Sequence, residues 1–183
     1  MIAFCPRLVV AAVAGFVYCT GAMAAPPERC LDDGAAAVVF FILHDCPVSN
    51  QLTPEMNAIA ARYEKKGIRF TFAEVDPAVA ADELAEHAKA YAIKAAITID
   101  RQHRLVDLAG ADVAPAAAVF LPDGSLAYQG RINNLFEAFG QKRAVVTDHN
   151  LREALDAVLA GEKGENEGAG PPAVGCYIAD LKR

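Results

Sequence analysis

Residues 36–50 read Ala-Ala-Val-Val-Phe-Phe-Ile-Leu-His-Asp-Cys-Pro-Val-Ser-Asn. The first eight residues form an uninterrupted apolar run, which is typical of a strand buried on both faces of a sheet that helices cover. The run ends at His44, and Pro47 is suited to the first position of a helix. The stretch therefore predicts a central strand, a short turn that holds Cys46, and a helix directly after it.

The rest of the chain alternates between helical and extended patterns, with apolar residues at helical spacing in some segments and at every second position in others. The predicted elements are helices over 52–63, 79–91 and 150–160, and strands over 68–75, 116–121 and 126–129. The turn Pro122-Asp123-Gly124-Ser125 makes the last two strands an antiparallel hairpin. This order predicts an α/β fold with a mixed sheet.

The N-terminal segment 1–24 has the pattern of a secretory signal peptide. It carries one charge, Arg7, followed by an apolar run over 8–18 and the small-residue site Ala22-Met23-Ala24. The run is shorter than the ~20 apolar residues that cross a bilayer, and an uncleaved anchor is the alternative. We expect an exported, periplasmic or extracytoplasmic protein that begins at Ala25 and has no stable membrane span after cleavage.

The composition excludes one class of partner. The 183-residue chain has a formal net charge of −6 at pH 7 and no cluster of Lys and Arg. Nucleic-acid binding needs a basic surface, so we expect no nucleic-acid partner.

Export would leave three cysteines, Cys30, Cys46 and Cys176. Disulfides persist in extracytoplasmic compartments, and an odd number leaves at least one thiol free, transiently paired or bound to something else. Cys46 has the setting of a reactive thiol, because the N-terminal end of a helix favours the thiolate. The charge of Asp45 opposes this effect, and a purely structural role for Cys46 is the alternative.

Five short motifs occur in an order that resembles a known family. They are His44-Asp45-Cys46-Pro47-Val48-Ser49-Asn50, Val113-Ala114-Pro115, Pro122-Asp123-Gly124, Tyr128-Gln129-Gly130-Arg131-Ile132 and Gly175-Cys176-Tyr177-Ile178. Over 36–161 the chain resembles the redoxin branch of the thioredoxin superfamily, which includes alkyl hydroperoxide reductase and thiol-specific antioxidant relatives. The last motif is similar to the tail of an exported bacterial redoxin subgroup.

The resemblance implies a thioredoxin-like fold over 25–161, with a mixed central sheet flanked by helices. It also implies that Pro115 forms a cis peptide bond beside the reactive thiol, since cis bonds are almost confined to proline. Two departures distinguish this chain. Cys46 lacks the second thiol of a C-x-x-C pair. Peroxiredoxins carry a Pro and a Thr or Ser ahead of the reactive Cys, whereas here His44 stands two residues before Cys46 and no Pro precedes it nearby.

The four histidines have different expected settings. His44 is expected to poise or deprotonate the Cys46 thiol, because strand residues two apart point to the same face; a metal site is the alternative. His87 and His103 are expected on solvated helix faces, and His149 at the exposed start of the last helix.

Residues 162–183 are predicted to form a flexible C-terminal extension that carries Cys176. The segment 161–172 is rich in Gly, Glu and Pro, which is typical of a flexible linker. Such an arm is long enough for Cys176 to reach most of a small domain. Two roles stay open: Cys176 resolves a mixed disulfide at Cys46, or it pairs with Cys30 and pins the two ends of the chain.

Three functional hypotheses fit these residues. The first is an extracytoplasmic thiol–disulfide oxidoreductase or peroxiredoxin-like protein, which acts on thiols, disulfides or peroxides without a cofactor or metal. Cys46 attacks, Pro115 shapes the surface that holds the partner, and Cys176 resolves the intermediate. The second is a copper-binding or metal-delivery module, because two cysteines and a histidine suit Cu(I). The third is an interaction domain that keeps the fold without turnover.

Overall fold

The computed structural model describes residues 35–162 and 168–181. The predicted signal peptide, Cys30 and residues 163–167 of the predicted extension lie outside the described residues. The helices are α1 (Pro47–Tyr63), α2 (Ala81–Ala90), α3 (Arg104–Ala109) and α4 (Asn150–Leu159). The strands are β1 (Ala37–Ile42), β2 (Arg69–Glu74), β3 (Ala96–Ile99), β4 (Val113–Ala114), β5 (Ala116–Phe120), β6 (Leu126–Gly130), β7 (Phe136–Ala138), β8 (Gln141–Lys142) and β9 (Cys176–Tyr177). In these two ranges no helix is both long and apolar enough to span a bilayer.

Five strands form the central sheet, in the order β3-β2-β1-β5-β6. The pairs β1–β2 and β2–β3 are parallel, whereas β1–β5 and β5–β6 are antiparallel. The sheet is therefore mixed, as the sequence predicted. Every residue of β1 is buried, as expected for an apolar strand in the middle of a sheet whose two faces are covered.

Both faces of β1 contribute to the core. Val38, Phe40 and Ile42 pack with apolar side chains of α1 and α4. Val39 and Phe41 point to the opposite face and pack with side chains of α3. This alternation, which every strand imposes, fixes β1 between two layers. The turn after β1 is consequently held in place on both sides.

The described part of the C-terminal extension lies against the domain. Along the edge strand β6, the Gly170 N–H donates to the Gln129 carbonyl at 2.8 Å, and the Arg131 N–H donates to the Pro171 carbonyl at 2.9 Å. Farther along, β9 pairs antiparallel with β4. Ile178 is 5% exposed and packs into the core on the α3 side. Residues 168–181 are thus held by backbone hydrogen bonds and apolar burial, whereas the sequence predicted a flexible arm.

Candidate redox site

Cys46 occupies the junction between β1 and α1. It is the N-cap residue of α1, with an extended backbone (φ −79°, ψ 119°), and Pro47 takes the first helical position. The Cys46 N–H donates to the Leu43 carbonyl at 3.1 Å, which closes the turn. The cysteine therefore lies at the N-terminal end of a 17-residue helix, where first-turn N–H groups and the helix dipole favour negative charge.

Cys46 and Cys176 form a disulfide, with their Cα atoms 6.3 Å apart. This separation lies within the range that disulfides span. The bond joins residues 130 positions apart in the chain. Of the two pairings that the sequence left open for Cys176, the structure contains the one with Cys46.

Pro115 lies beside this disulfide. The Ala114–Pro115 peptide bond is cis, which is the geometry that the resemblance implied. Ala114 pairs with Cys176 in the β4–β9 ladder, and its carbonyl oxygen is 3.7 Å from the Cys46 sulfur. The fold thus brings Cys46, Cys176 and Pro115 together, although they are far apart in the sequence.

Gly175 permits the close approach of β9 to β4. A Cβ atom on residue 175 would collide with the carbonyl oxygen of Ala114 and would lie 2.9 Å from Cδ of Pro115. Any residue larger than glycine would therefore push the backbone of β9 away from β4. Cys176 reaches Cys46 because residue 175 has no side chain, a role that sequence reasoning missed.

His44 lies near the turn but makes its polar contacts elsewhere. Its Nε2 is 3.2 Å from Oε1 of Glu83, and its Nδ1 is 3.5 Å from Oε2 of Glu74. The strand alternation that predicted a shared face ends at Ile42, because residues 43–46 form the turn. Among the described residues no hydrogen bond or ion pair joins His44 to Cys46. A role for His44 at the thiol stays a prediction.

Glu74 is a buried carboxylate that sequence reasoning missed. It closes β2, its side chain is 0% exposed, and it accepts N–H groups of His44 at 2.8 Å and Asp76 at 2.9 Å. Burial raises the pKa of Glu74, and the two N–H donors and the charge of His44 partly oppose the rise. The signal was available in the alternation of 68–75, which places Glu74 on the same face as Phe70 and Phe72.

Asn50 connects the first turn of α1 to α2. Its amide Nδ2 donates to the His44 carbonyl at 2.9 Å, and its Oδ1 is 2.8 Å from Nε2 of His87. The expected solvated setting of His87 is wrong, because His87 is only 9% exposed. The same expectation is wrong for His103, which is 7% exposed and lies 2.9 Å from the Val75 carbonyl. Burial of His87, and to a smaller extent the charge of His44, lowers the pKa of His87.

The copper hypothesis needs its ligands in one place. Cys46 and Cys176 are joined in the disulfide, and His149 lies at the exposed start of α4, as predicted. Within 35–162 and 168–181, no group of three or more His, Cys, Asp and Glu side chains is placed to hold a metal ion. No observation in this part of the chain favours the metal-delivery hypothesis.

No family profile matches the chain, and the comparison with curated proteins yields no relative. Solved structures do resemble it. An uncharacterized conserved protein from Geobacillus kaustophilus has a TM-score of 0.70 at 23% identity, over 86% of this chain and 82% of that chain. A hypothetical protein from Sinorhizobium meliloti 1021 has a TM-score of 0.67 at 24% identity, over 82% of each chain.

A third solved structure carries a functional description. It is a secreted disulfide oxidoreductase of Mycobacterium tuberculosis that is homologous to E. coli DsbE, with a TM-score of 0.50 at 16% identity, over 69% of this chain and 84% of that chain. The chain has a thioredoxin-like fold. Its mixed sheet, flanking helices and strand-to-helix cysteine agree with that assignment.

Proposed function

We propose that this thioredoxin-like chain is an extracytoplasmic thiol–disulfide oxidoreductase of the redoxin branch, with Cys46 and Cys176 as its redox pair. The observation that carries the proposal is the disulfide between them, placed at the N-terminal end of α1 and against the Ala114–Pro115 bond. A disulfide serving stability alone has no need of a helix N-terminus, whereas a redox disulfide gains from the stabilised thiolate.

The chemistry is a two-electron exchange with a dithiol partner. A partner thiolate attacks one sulfur of the disulfide, so a mixed disulfide forms and the other protein sulfur leaves as a thiolate. The second partner thiol then attacks the mixed disulfide and releases the reduced protein. The partner dithiol becomes a disulfide and loses two electrons, and the Cys46–Cys176 disulfide becomes two thiols. The reverse sequence reduces a partner disulfide.

Peroxide is the alternative oxidant for the reduced pair. The Cys46 thiolate would displace an alcohol or water from the peroxide and become a sulfenic acid, and the Cys176 thiol would then condense with it and release water. The product is the same Cys46–Cys176 disulfide. The two routes are distinguished by comparing the rates at which disulfides and peroxides reoxidise the reduced protein.

An exported location is part of the proposal. Residues 1–24 have the pattern of a signal peptide, and a disulfide persists in an oxidising compartment. The Mycobacterium tuberculosis protein of similar fold is described as secreted. We propose the same side of the membrane for this chain, with Ala25 as its first residue after cleavage.

The test is reduction and reoxidation of the full chain purified after export in a bacterial host. We expect dithiothreitol to reduce the Cys46–Cys176 bond, and oxidised glutathione or a disulfide-bonded substrate such as insulin to restore it with turnover. Cys46→Ser and Cys176→Ser should each abolish turnover, and Cys30→Ser should keep it. A disulfide that resists dithiothreitol in the folded protein, or unchanged turnover in Cys46→Ser, would overturn the proposal.

A further inference from the structure

We propose that Cys176 is the sulfur that exchanges with the partner, and that Cys46 is the internal sulfur that leaves and later resolves. This inference rests on the function proposed above and assigns the two sulfurs their roles in it. It is the opposite of the division that the sequence led us to expect, in which Cys46 attacks and Cys176 resolves. Three features of the structure support it: exposure, leaving-group stability and the way β9 is held.

The two cysteines differ in exposure. Cys46 is 1% exposed and belongs to the core on the α1 side of the sheet, whereas Cys176 is only half-buried and packs at the margin of that core. The neighbour of Cys176, Tyr177, is 83% exposed. In thiol–disulfide exchange the rate depends on which sulfur the attacking thiolate can reach. A partner protein meets Cys176 first.

The stability of the leaving thiolate also favours attack on Cys176. When a partner thiolate bonds to the Cys176 sulfur, the Cys46–Cys176 bond breaks and the electron pair stays on Cys46. Cys46 lies at the N-cap of α1, where the helix stabilises a thiolate, and a stabilised thiolate leaves more readily. Attack on Cys46 instead would place the charge on Cys176, which lies on a two-residue strand and not at the N-cap of α1.

The backbone around Cys176 is held independently of the disulfide. Ala114 pairs with Cys176 and Val113 with Tyr177, and the Ile178 N–H donates to the Asp112 carbonyl at 3.0 Å. We therefore expect β9 to stay on β4 after reduction and to keep Cys46 covered. In the reverse reaction Cys176 then attacks the partner disulfide, and the Cys46 thiolate attacks Cys176 to expel the partner thiolate.

The decisive experiment maps the mixed disulfide. The oxidised full-length exported protein is mixed with reduced glutathione for short times, quenched with acid, alkylated and digested, and the glutathione adduct is located by mass spectrometry. We expect at least ten adducts on Cys176 for each one on Cys46. A majority on Cys46 would overturn this inference and leave the proposed function intact. A disulfide that neither glutathione nor dithiothreitol opens would overturn the proposed function itself.

A second measurement uses single thiols in a Cys30→Ser background. The variant that also carries Cys46→Ser keeps only Cys176 of the pair, and we expect it to react with oxidised glutathione at least tenfold faster than the variant that carries Cys176→Ser. Adding Gly175→Ala to the latter should raise the rate of Cys46, because residue 175 can no longer lie against Ala114. Equal rates for the two single-thiol variants, with Gly175 intact, would overturn the inference.

Discussion

Gly175 lies so close to Ala114 that a side chain on residue 175 would collide with the Ala114 carbonyl oxygen. This contact sets the distance between β9 and β4, and with it the position of Cys176 beside Cys46. The redox pair is therefore assembled by a backbone contact as well as by the two sulfurs. In a C-x-x-C pair both cysteines lie in one turn. Here the second cysteine, Cys176, comes from β9, which is far from Cys46 in the sequence.

We predict that Gly175→Ala weakens the disulfide without removing either sulfur. Overpacking of a close contact costs ~1–3 kcal/mol, and each 1.4 kcal/mol is about a factor of ten in an equilibrium constant. In the variant the disulfide holds residue 175 against Ala114, whereas reduction lets β9 move away and relieve the collision. In glutathione redox buffers the ratio of disulfide to dithiol protein should therefore fall about tenfold. Quantitative alkylation followed by mass spectrometry measures this fraction.

The matched control is Ala179→Ser, since Ala179 is exposed and lies three residues beyond Cys176 on the same segment. It should leave the redox equilibrium unchanged. If Gly175→Ala shifts the equilibrium no more than Ala179→Ser does, the backbone contact with Ala114 does not position Cys176.

Removal of the disulfide should lower the stability of the domain. The bond closes a loop of 130 residues, and cross-linking so long a loop contributes about 4–5 kcal/mol in the chain-entropy description. Cys176→Ser should therefore lower the melting temperature by roughly 10–20 °C. Differential scanning calorimetry checks this against Cys30→Ser, which should melt like the wild type. Superimposable transitions for Cys176→Ser and the wild type would contradict the prediction.

The central sheet was predictable because its signals are local. The apolar run over 36–43 predicts β1, the alternation over 68–75 predicts β2, and the turn at 122–125 predicts the hairpin of β5 and β6. The position of Cys46 between β1 and α1 follows from the same stretch.

The sequence allowed the Cys46–Cys176 bond but did not select it over Cys30–Cys176, because loop-closure entropy depends only logarithmically on loop length and does not discriminate between Cys30 and Cys46. The β4–β9 ladder has two residue pairs, too few for a periodic pattern. The close approach of Gly175 to Ala114 depends on a backbone far away in the sequence, which no local pattern around Gly175 indicates. The buried settings of His87 and His103 depend on long-range partners, Asn50 and Val75.

We predict that the buried carboxyl group of Glu74 makes stability fall as pH rises. Burial raises the pKa of Glu74 above its usual 4.5, so the folded protein favours the protonated form more than the unfolded chain does. The penalty is absent below pH 4.5 and grows as pH rises through the folded-state pKa. Relative to the wild type, Glu74→Gln should gain stability between pH 4.5 and pH 8, as measured by urea unfolding.

The control for Glu74 is Glu83→Gln, which removes the other carboxylate near His44. The side chain of Glu83 is 57% exposed, so its replacement should leave the slope of stability against pH close to that of the wild type. Parallel pH curves for Glu74→Gln and the wild type would show that ionised Glu74 is fully compensated by its N–H donors.

His87 should give the opposite pH dependence. Burial, with a smaller contribution from the charge of His44, lowers the pKa of His87 from 6.5. Among the described residues its Nδ1 is buried without a hydrogen-bond partner, while Nε2 contacts Oδ1 of Asn50, so protonation places a charged N–H where nothing accepts it. The stability that neutral His87 provides is complete above pH 6.5 and is lost as pH falls through the lowered folded-state pKa.

In urea unfolding between pH 8 and pH 5, His87→Gln should therefore lose less stability than the wild type, since glutamine can donate to Asn50 and does not titrate. His149→Gln, at an exposed position, should follow the wild type. If His87→Gln follows it too, protonation of His87 is not linked to folding.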